Sequence, residues 1–102
     1  MGKFVLAYKG GGAPTSEAEG AEVMKAWMGW FASLGDAVID GGNPFGASIA
    51  VSSDGSTGDS SMSLTGYSVL SADSLSAAAV LSKGCPILAA GGSVEVYEAL
   101  DM

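Results

Sequence analysis

The chain has 102 residues, with eleven Asp and Glu against four lysines, no arginine and no histidine, for a net charge of −7. That balance argues against partners held through phosphates, so no nucleic acid and no anionic membrane surface is expected. With no histidine, neither the usual zinc ligand sets nor Ser-His-Asp and Cys-His machinery can be assembled, and one cysteine, Cys85, leaves no internal disulfide.

From Lys3 to Lys9 the residues Phe4, Leu6 and Tyr8 alternate with Val5 and Ala7, which predicts a strand with apolar side chains on both faces. A Gly-rich loop, Gly10 to Thr15, leads to Ser16 with Glu19 three residues on. This capping-box pattern starts a helix that runs to about Leu34 and closes on Gly35 in a left-handed conformation. Met24, Trp27, Phe31 and Leu34 form the centre of its apolar stripe, with Val23 and Trp30 on one flank and Met28 on the other. Both tryptophans read as core packing; Trp30, at the edge of the stripe, is the better candidate for stacking on a ligand.

After Ala37 to Asp40 and the turn cluster Gly41-Gly42-Asn43-Pro44, a short strand is expected through Ile49 and Val51. The polar, Gly-rich stretch Ser52 to Ser63 reads as a mobile hairpin connection. A third strand follows from Leu64 to Ser71, apolar on both faces. Asp73 is expected to cap a second helix through Leu75, Ala78, Ala79 and Leu81, which stops at Gly84 with Pro86 two residues later. A loop through Gly91-Gly92 then leads to a fourth strand, Ser93 to Ala99.

The resulting order, βαββαβ, is the ferredoxin-like arrangement: an α+β fold with a four-stranded antiparallel sheet and two helices on one face. The other face is left open. Strands one and three are apolar on both sides, and 16 glycines with many Ala and Ser make the core thin, so a second copy is expected to cover that face. No Pro-rich tract or charge block divides the chain, and one domain over residues 1–102 is expected. Lys3 to Tyr8 is too short to form a signal-peptide core, and no apolar run approaches the ~20 residues of a membrane span, which points to a cytoplasmic protein.

Tested against known motifs, Lys9-Gly10-Gly11-Gly12 fits neither G-x-G-x-x-G nor the Walker pattern, and Glu17 and Glu19 would repel phosphate from the helix start. Asp54 to Asp59 opens like a calcium loop, yet Asp59 and Thr65 stand where that loop needs Gly and Glu; a solvated hairpin tip is the stronger reading, and no metal or other cofactor is implied. Cys85 follows a helix C-terminus, where the dipole disfavours a thiolate, and reads as an inert, partly buried thiol. Carboxylates, lysines and tyrosines are left as acid–base groups. Asp40 beside the Gly-Gly-Asn-Pro turn is the candidate catalytic carboxylate, with turn formation as its alternative role. Tyr8 and Gly66-Tyr67-Ser68-Val69 echo the aromatics of RNA-recognition sheets, but the net charge has the wrong sign.

Trp27-Met28-Gly29-Trp30-Phe31, Leu34-Gly35, Asp40-Gly41-Gly42-Asn43-Pro44, Gly66-Tyr67-Ser68, Ala72-Asp73-Ser74-Leu75, Gly84-Cys85-Pro86 and Gly92-Ser93-Val94-Glu95-Val96 occur in this order. Together they resemble the YCII-related proteins over nearly the whole chain. The resemblance implies a dimeric α+β barrel in which two ferredoxin-like sheets face each other. Relatives include isomerases, small monooxygenases and dehydrochlorinases, and the founding type is associated with a His-Asp pair that this histidine-free chain lacks. The expectation is therefore a homodimeric small-molecule-binding or structural module, with a cleft between the sheets and the Asp40 to Pro44 loop at its rim. Tyr8, Asn43 and Tyr67 are the candidate ligand-binding residues. The alternative is a small isomerase, lyase or monooxygenase-like enzyme for a weakly polar cyclic or aromatic molecule, using Asp40 or a tyrosine for proton transfer.

Overall fold

The computed structural model describes residues 2–11, 16–60 and 63–101. In chain order it contains β1 (Gly2–Lys9), α1 (Glu17–Leu34), a 3-10 turn (Gly35–Ala37), β2 (Val38–Asp40), β3 (Ala50–Val51), β4 (Thr57–Gly58), β5 (Leu64–Ala72), α2 (Leu75–Ser82), α3 (Pro86–Ala89) and β6 (Ser93–Ala99). The main sheet has the order β2-β5-β1-β6, antiparallel throughout. This is an α+β structure whose four-stranded antiparallel sheet is compatible with a ferredoxin-like fold.

Strand alternation sorts the residues of the sheet. Phe4, Leu6 and Tyr8 of β1, Ser68, Leu70 and Ala72 of β5, and Val94 and Val96 of β6 share the face that meets the helices. Trp30 of α1 packs there with Leu6, Tyr8, Leu70, Cys85 and Ile87, while Ala78 of α2 packs with Phe4 and Ala72. Leu6, Leu70 and Phe4 are fully buried, each contributing about 1.5–3 kcal/mol of hydrophobic stabilisation. On the opposite face, register aligns Val69, Val5 and Tyr97 in one cross-strand row and Tyr67, Ala7 and Glu95 in the next.

Helix α1 begins as its capping box dictates: the Ser16 hydroxyl accepts from the Glu19 amide at 3.1 Å. It ends at Gly35, whose φ of 57° and ψ of −125° suit only glycine and whose N–H donates to the Phe31 carbonyl. Its buried face is rotated from the expected one. Trp30 is the buried residue and donates its indole N–H to the Leu81 carbonyl at 3.3 Å, whereas Met24 and Met28 are 63% and 67% exposed. The largest ring with a polar edge takes the deep position because a main-chain acceptor on α2 awaits it there.

The second strand of the sheet also departs from expectation. Val38–Asp40 pairs with β5, and after the Gly41–Asn43 turn the chain continues in the same direction along the same edge. Pro44 bridges Gly66, the Tyr67 amide donates to Asn43 and the Phe45 amide donates to Thr65. Residues 38–45 thus use up the edge of β5 before Ile49 is reached. Ala50–Val51, expected as a strand of the sheet, pairs instead with Thr57–Gly58 in a separate two-stranded hairpin. Its turn is held by Ser52 and Ser56 amide–carbonyl pairing and by Asp54 Oδ1, which accepts from both the amide and the hydroxyl of Ser56.

Three smaller corrections follow from local hydrogen bonding. Ser74, not Asp73, caps α2, its side chain accepting from the Ala77 amide at 3.1 Å. Pro86 does more than stop α2: it sits at the first position of the helical turn α3, where its missing N–H is no loss. Cys85, at the cap of α3, is fully rather than partly buried. In the Gly10 to Thr15 loop, Gly10 and Gly11 both take positive φ; the rest of that expected loop, residues 12–15, and residues 61–62 of the expected hairpin connection lie outside the described residues. No helix among the described residues is long and apolar enough to cross a membrane.

Candidate functional site

Between α1 and the β5 edge lies a concavity of about 410 Å³. It forms because α1 is seated through its C-terminal half, so Met24, Trp27 and Phe31 overhang the sheet and roof the space. The floor and far wall come from Tyr8, Gly41, Gly42, Asn43, Pro44, Thr65, Gly66, Tyr67 and Ile87. None of the described lining residues is charged, although the chain carries net charge −7.

Its aromatic wall is continuous. Tyr8 meets Trp27 edge-on at 5.1 Å between centroids, Trp27 meets Phe31 at 5.9 Å, and Trp30 backs both at 5.8 Å and 5.1 Å. These edge and tilted contacts fix the rings that face the space. The opposite wall is main chain brought close by glycine. Gly42 has φ 75°, and a Cβ there would overlap the Tyr67 carbonyl oxygen; a Cβ on Gly66 would press on the Asn43 carbonyl and the Pro44 Cα.

One hydrogen-bond chain anchors that loop to the floor. The Tyr8 hydroxyl donates to Ser68 Oγ at 2.6 Å, and the Ser68 hydroxyl donates to the Gly41 carbonyl at 2.7 Å. Serine has a single proton to give, so the direction of the chain is fixed from Tyr8 to Gly41. Ser68 is completely buried and Tyr8 nearly so. Burial pushes the Tyr8 hydroxyl well above its ordinary pKa, with the Ser68 hydrogen bond opposing it, and burial likewise pushes the Cys85 thiol up. Both groups are neutral at physiological pH, and neither is poised as a base or nucleophile.

Of the residues singled out in the sequence, Tyr8, Asn43 and Tyr67 do line one concavity. This concavity lies between helix and sheet within one protomer, not between two facing sheets. Tyr8 lies on the helix side of the sheet, whereas Tyr67, paired with Ala7, belongs to the other face, where its ring stacks on Phe45 at 5.6 Å and 18°. Asp40 is exposed and absent from the described lining; its Oδ1 accepts from the Gly42 amide at 2.8 Å, the turn-forming role. Trp30 packs in the core, as read for both tryptophans, and is not the stacking exception; Trp27 and Phe31 hold the wall.

Sequence reasoning passed over Ser68 and the Trp27–Phe31 pair. A signal existed for each. Trp27 and Phe31 stand four apart on one helix face, and Ser68 is the one hydroxyl in the inward series Gly66, Ser68, Leu70, Ala72, a position where burial demands partners. Among the described residues, no group of three His, Cys, Asp or Glu side chains is placed to hold a metal ion. Comparison of the chain with protein-family models, with curated proteins and with solved structures finds no match.

Proposed function

We propose that this chain is a small-molecule-binding module that works as a homodimer and takes a neutral, flat, weakly polar ligand in the concavity under α1. The observation that carries the reading is the aromatic wall of that 410 Å³ space, whose described lining bears no charge. Its size falls in the range of ordinary ligand sites, and rings held by their own packing favour a planar guest. Asn43 and Thr65 are the polar groups left at its mouth to orient one.

The homodimer is supported by the open sheet face. Val5, Ala7, Val69, Tyr67 and Tyr97 form its centre, and Lys3, Lys9 and Glu95 its charged rim, with Lys9 and Glu95 paired at 3.8 Å. Two of the four lysines thus stand on this face, so a second acidic copy meets less repulsion here than elsewhere. The chain exposes 6812 Å², against about 5,200 Å² expected for a compact monomer of its mass. Two such sheets face to face make the dimeric α+β barrel of the YCII-related proteins. The strand order β2-β5-β1-β6 supports that assignment, with β3 and β4 as an insertion in βαββαβ. A cytoplasmic setting belongs to the same proposal, supported by the free, buried Cys85. The enzyme alternative gains no support from Asp40, which faces its own turn.

The test uses indole as a neutral probe and indole-3-carboxylate as its anionic counterpart, read by calorimetric titration and melting temperature. Indole is expected to bind at ~1 mM or tighter, given its few heavy atoms, and Trp27→Ala to abolish the response. The reading fails if indole produces no saturable change, or if the carboxylate binds better.

A further inference from the structure

Among the described residues, the β3–β4 hairpin forms a sheet of its own. It joins no strand of the main sheet, and Ile49 and Val51 on it are 68% and 69% exposed. Phe45 at its base is also exposed, and a Cβ added at Gly46, Gly55 or Gly58 would meet nothing. A two-stranded hairpin with two residues in each strand is not stable in water on its own. Ile49 and Val51 flank Ala50 and share one side of the extended segment, so an apolar ridge is presented to whatever lies outside the protomer.

Area decides what that is. Four strands at ~4.8 Å spacing and about six residues each present a sheet face of only ~400 Å² in projection. Two such faces bury roughly 800 Å², the scale of a crystal contact and short of the ~1,200 Å² at which stable interfaces begin. The chain's excess surface is about 1,600 Å² per protomer, 6812 Å² against about 5,200 Å². The radius of gyration, 15.0 Å against about 13 Å for a compact chain of this length, shows the same extension. The open face therefore accounts for a fraction of what must be covered. The hairpin is continuous with that face, because Phe45 stacks on Tyr67, an open-face residue.

We infer that the β3–β4 hairpin is an arm that lays Ile49 and Val51 against a second copy of this chain and supplies the larger part of the dimer contact beyond the sheet. The inference rests on the homodimer reading above and adds a second, separable surface to it. Each protomer gives an arm and receives one, as two-fold symmetry requires.

The test compares the full-length chain with the double variant Ile49→Asp, Val51→Asp and with Val69→Lys on the sheet face, by sedimentation over a concentration series. The arm variant is expected to weaken dimerisation at least about 100-fold, since four apolar side chains leave the dimer contact. Its circular dichroism spectrum should match that of the unaltered chain, because Ile49 and Val51 are exposed in the protomer and the hairpin joins no strand of the main sheet. Amides of the arm should also become more protected from hydrogen exchange as protomer concentration rises. If the chain is monomeric at every concentration, the homodimer reading falls and the arm with it. If Val69→Lys dissociates the dimer while the arm variant does not, the sheet dimer stands and the arm inference is overturned. Arm amides that exchange freely at concentrations where the chain is dimeric overturn it too.

Discussion

Ser68→Ala is expected to destabilise the chain more than Tyr8→Phe, although the two residues share one hydrogen bond. Removing the Ser68 hydroxyl leaves the buried Tyr8 O–H with only the weakly accepting Cys85 sulfur beside it and releases the Gly41 carbonyl at the edge of the sheet. An orphaned buried donor costs ~1–3 kcal/mol and a lost hydrogen bond ~1 kcal/mol, so Ser68→Ala should cost about 2–4 kcal/mol. Tyr8→Phe takes the donor away with its bond, and Ser68 keeps its proton on Gly41; the expected cost is ~0.5–1.5 kcal/mol. In the double variant nothing is stranded beside Phe, so its cost should fall below the sum of the singles by about 1–2 kcal/mol. Urea unfolding followed by tryptophan fluorescence measures all three, at one protomer concentration because association adds to apparent stability. Equal costs for the single variants, or strict additivity, would refute the donor direction from Tyr8 through Ser68 to Gly41.

Alkaline pH should unfold the chain through its two buried neutral acids. Cys85 and Tyr8 have ordinary values of 9.0 and 10.0, and both are raised in the folded state by burial. The unfolded chain loses these protons first, so the stability they contribute is intact below pH 9 and declines from there, by up to ~1.4 kcal/mol per pH unit for each group once it ionises only in the unfolded state. Urea midpoints between pH 8 and 11 should show the decline, and Tyr8→Phe should flatten the part above pH 10. Gly42→Ala should cost ~2 kcal/mol or more, because alanine at φ 75° is strained and its methyl overlaps the Tyr67 carbonyl; the same variant should lose indole binding in the calorimetric titration.

Elements fixed by local chemistry were legible in the sequence. Ser16 and Glu19 marked the start of α1, Gly35 its end, and the alternation of Val94 and Val96 with Glu95 and Tyr97 marked β6. What failed to read was what depends on contacts far along the chain. Residues 49–51 have strand-like composition, yet their pairing was decided by residues 38–45, which reached the β5 edge first. The rotation of α1 was set by an acceptor on α2, the Leu81 carbonyl, fifty-one residues from Trp30. Aromatic candidates for the site were named in Tyr8 and Tyr67, but without the register no sequence pattern says which sheet face each one takes.

That register has a consequence for how the two proposed surfaces relate. Tyr8 and Tyr67 lie on opposite faces of the sheet, one flooring the concavity and the other carrying the Phe45 stack. Residues 41–45 join them through main-chain bonds. Gly41 is held from below by Ser68, Pro44 bridges Gly66, and Phe45 is fixed both by its amide on Thr65 and by its ring on Tyr67. A second copy that covered Phe45 would therefore bear on the segment whose residues 41–44 wall the concavity. The loop is short and pinned at both ends, so it physically joins the proposed dimer surface to the concavity.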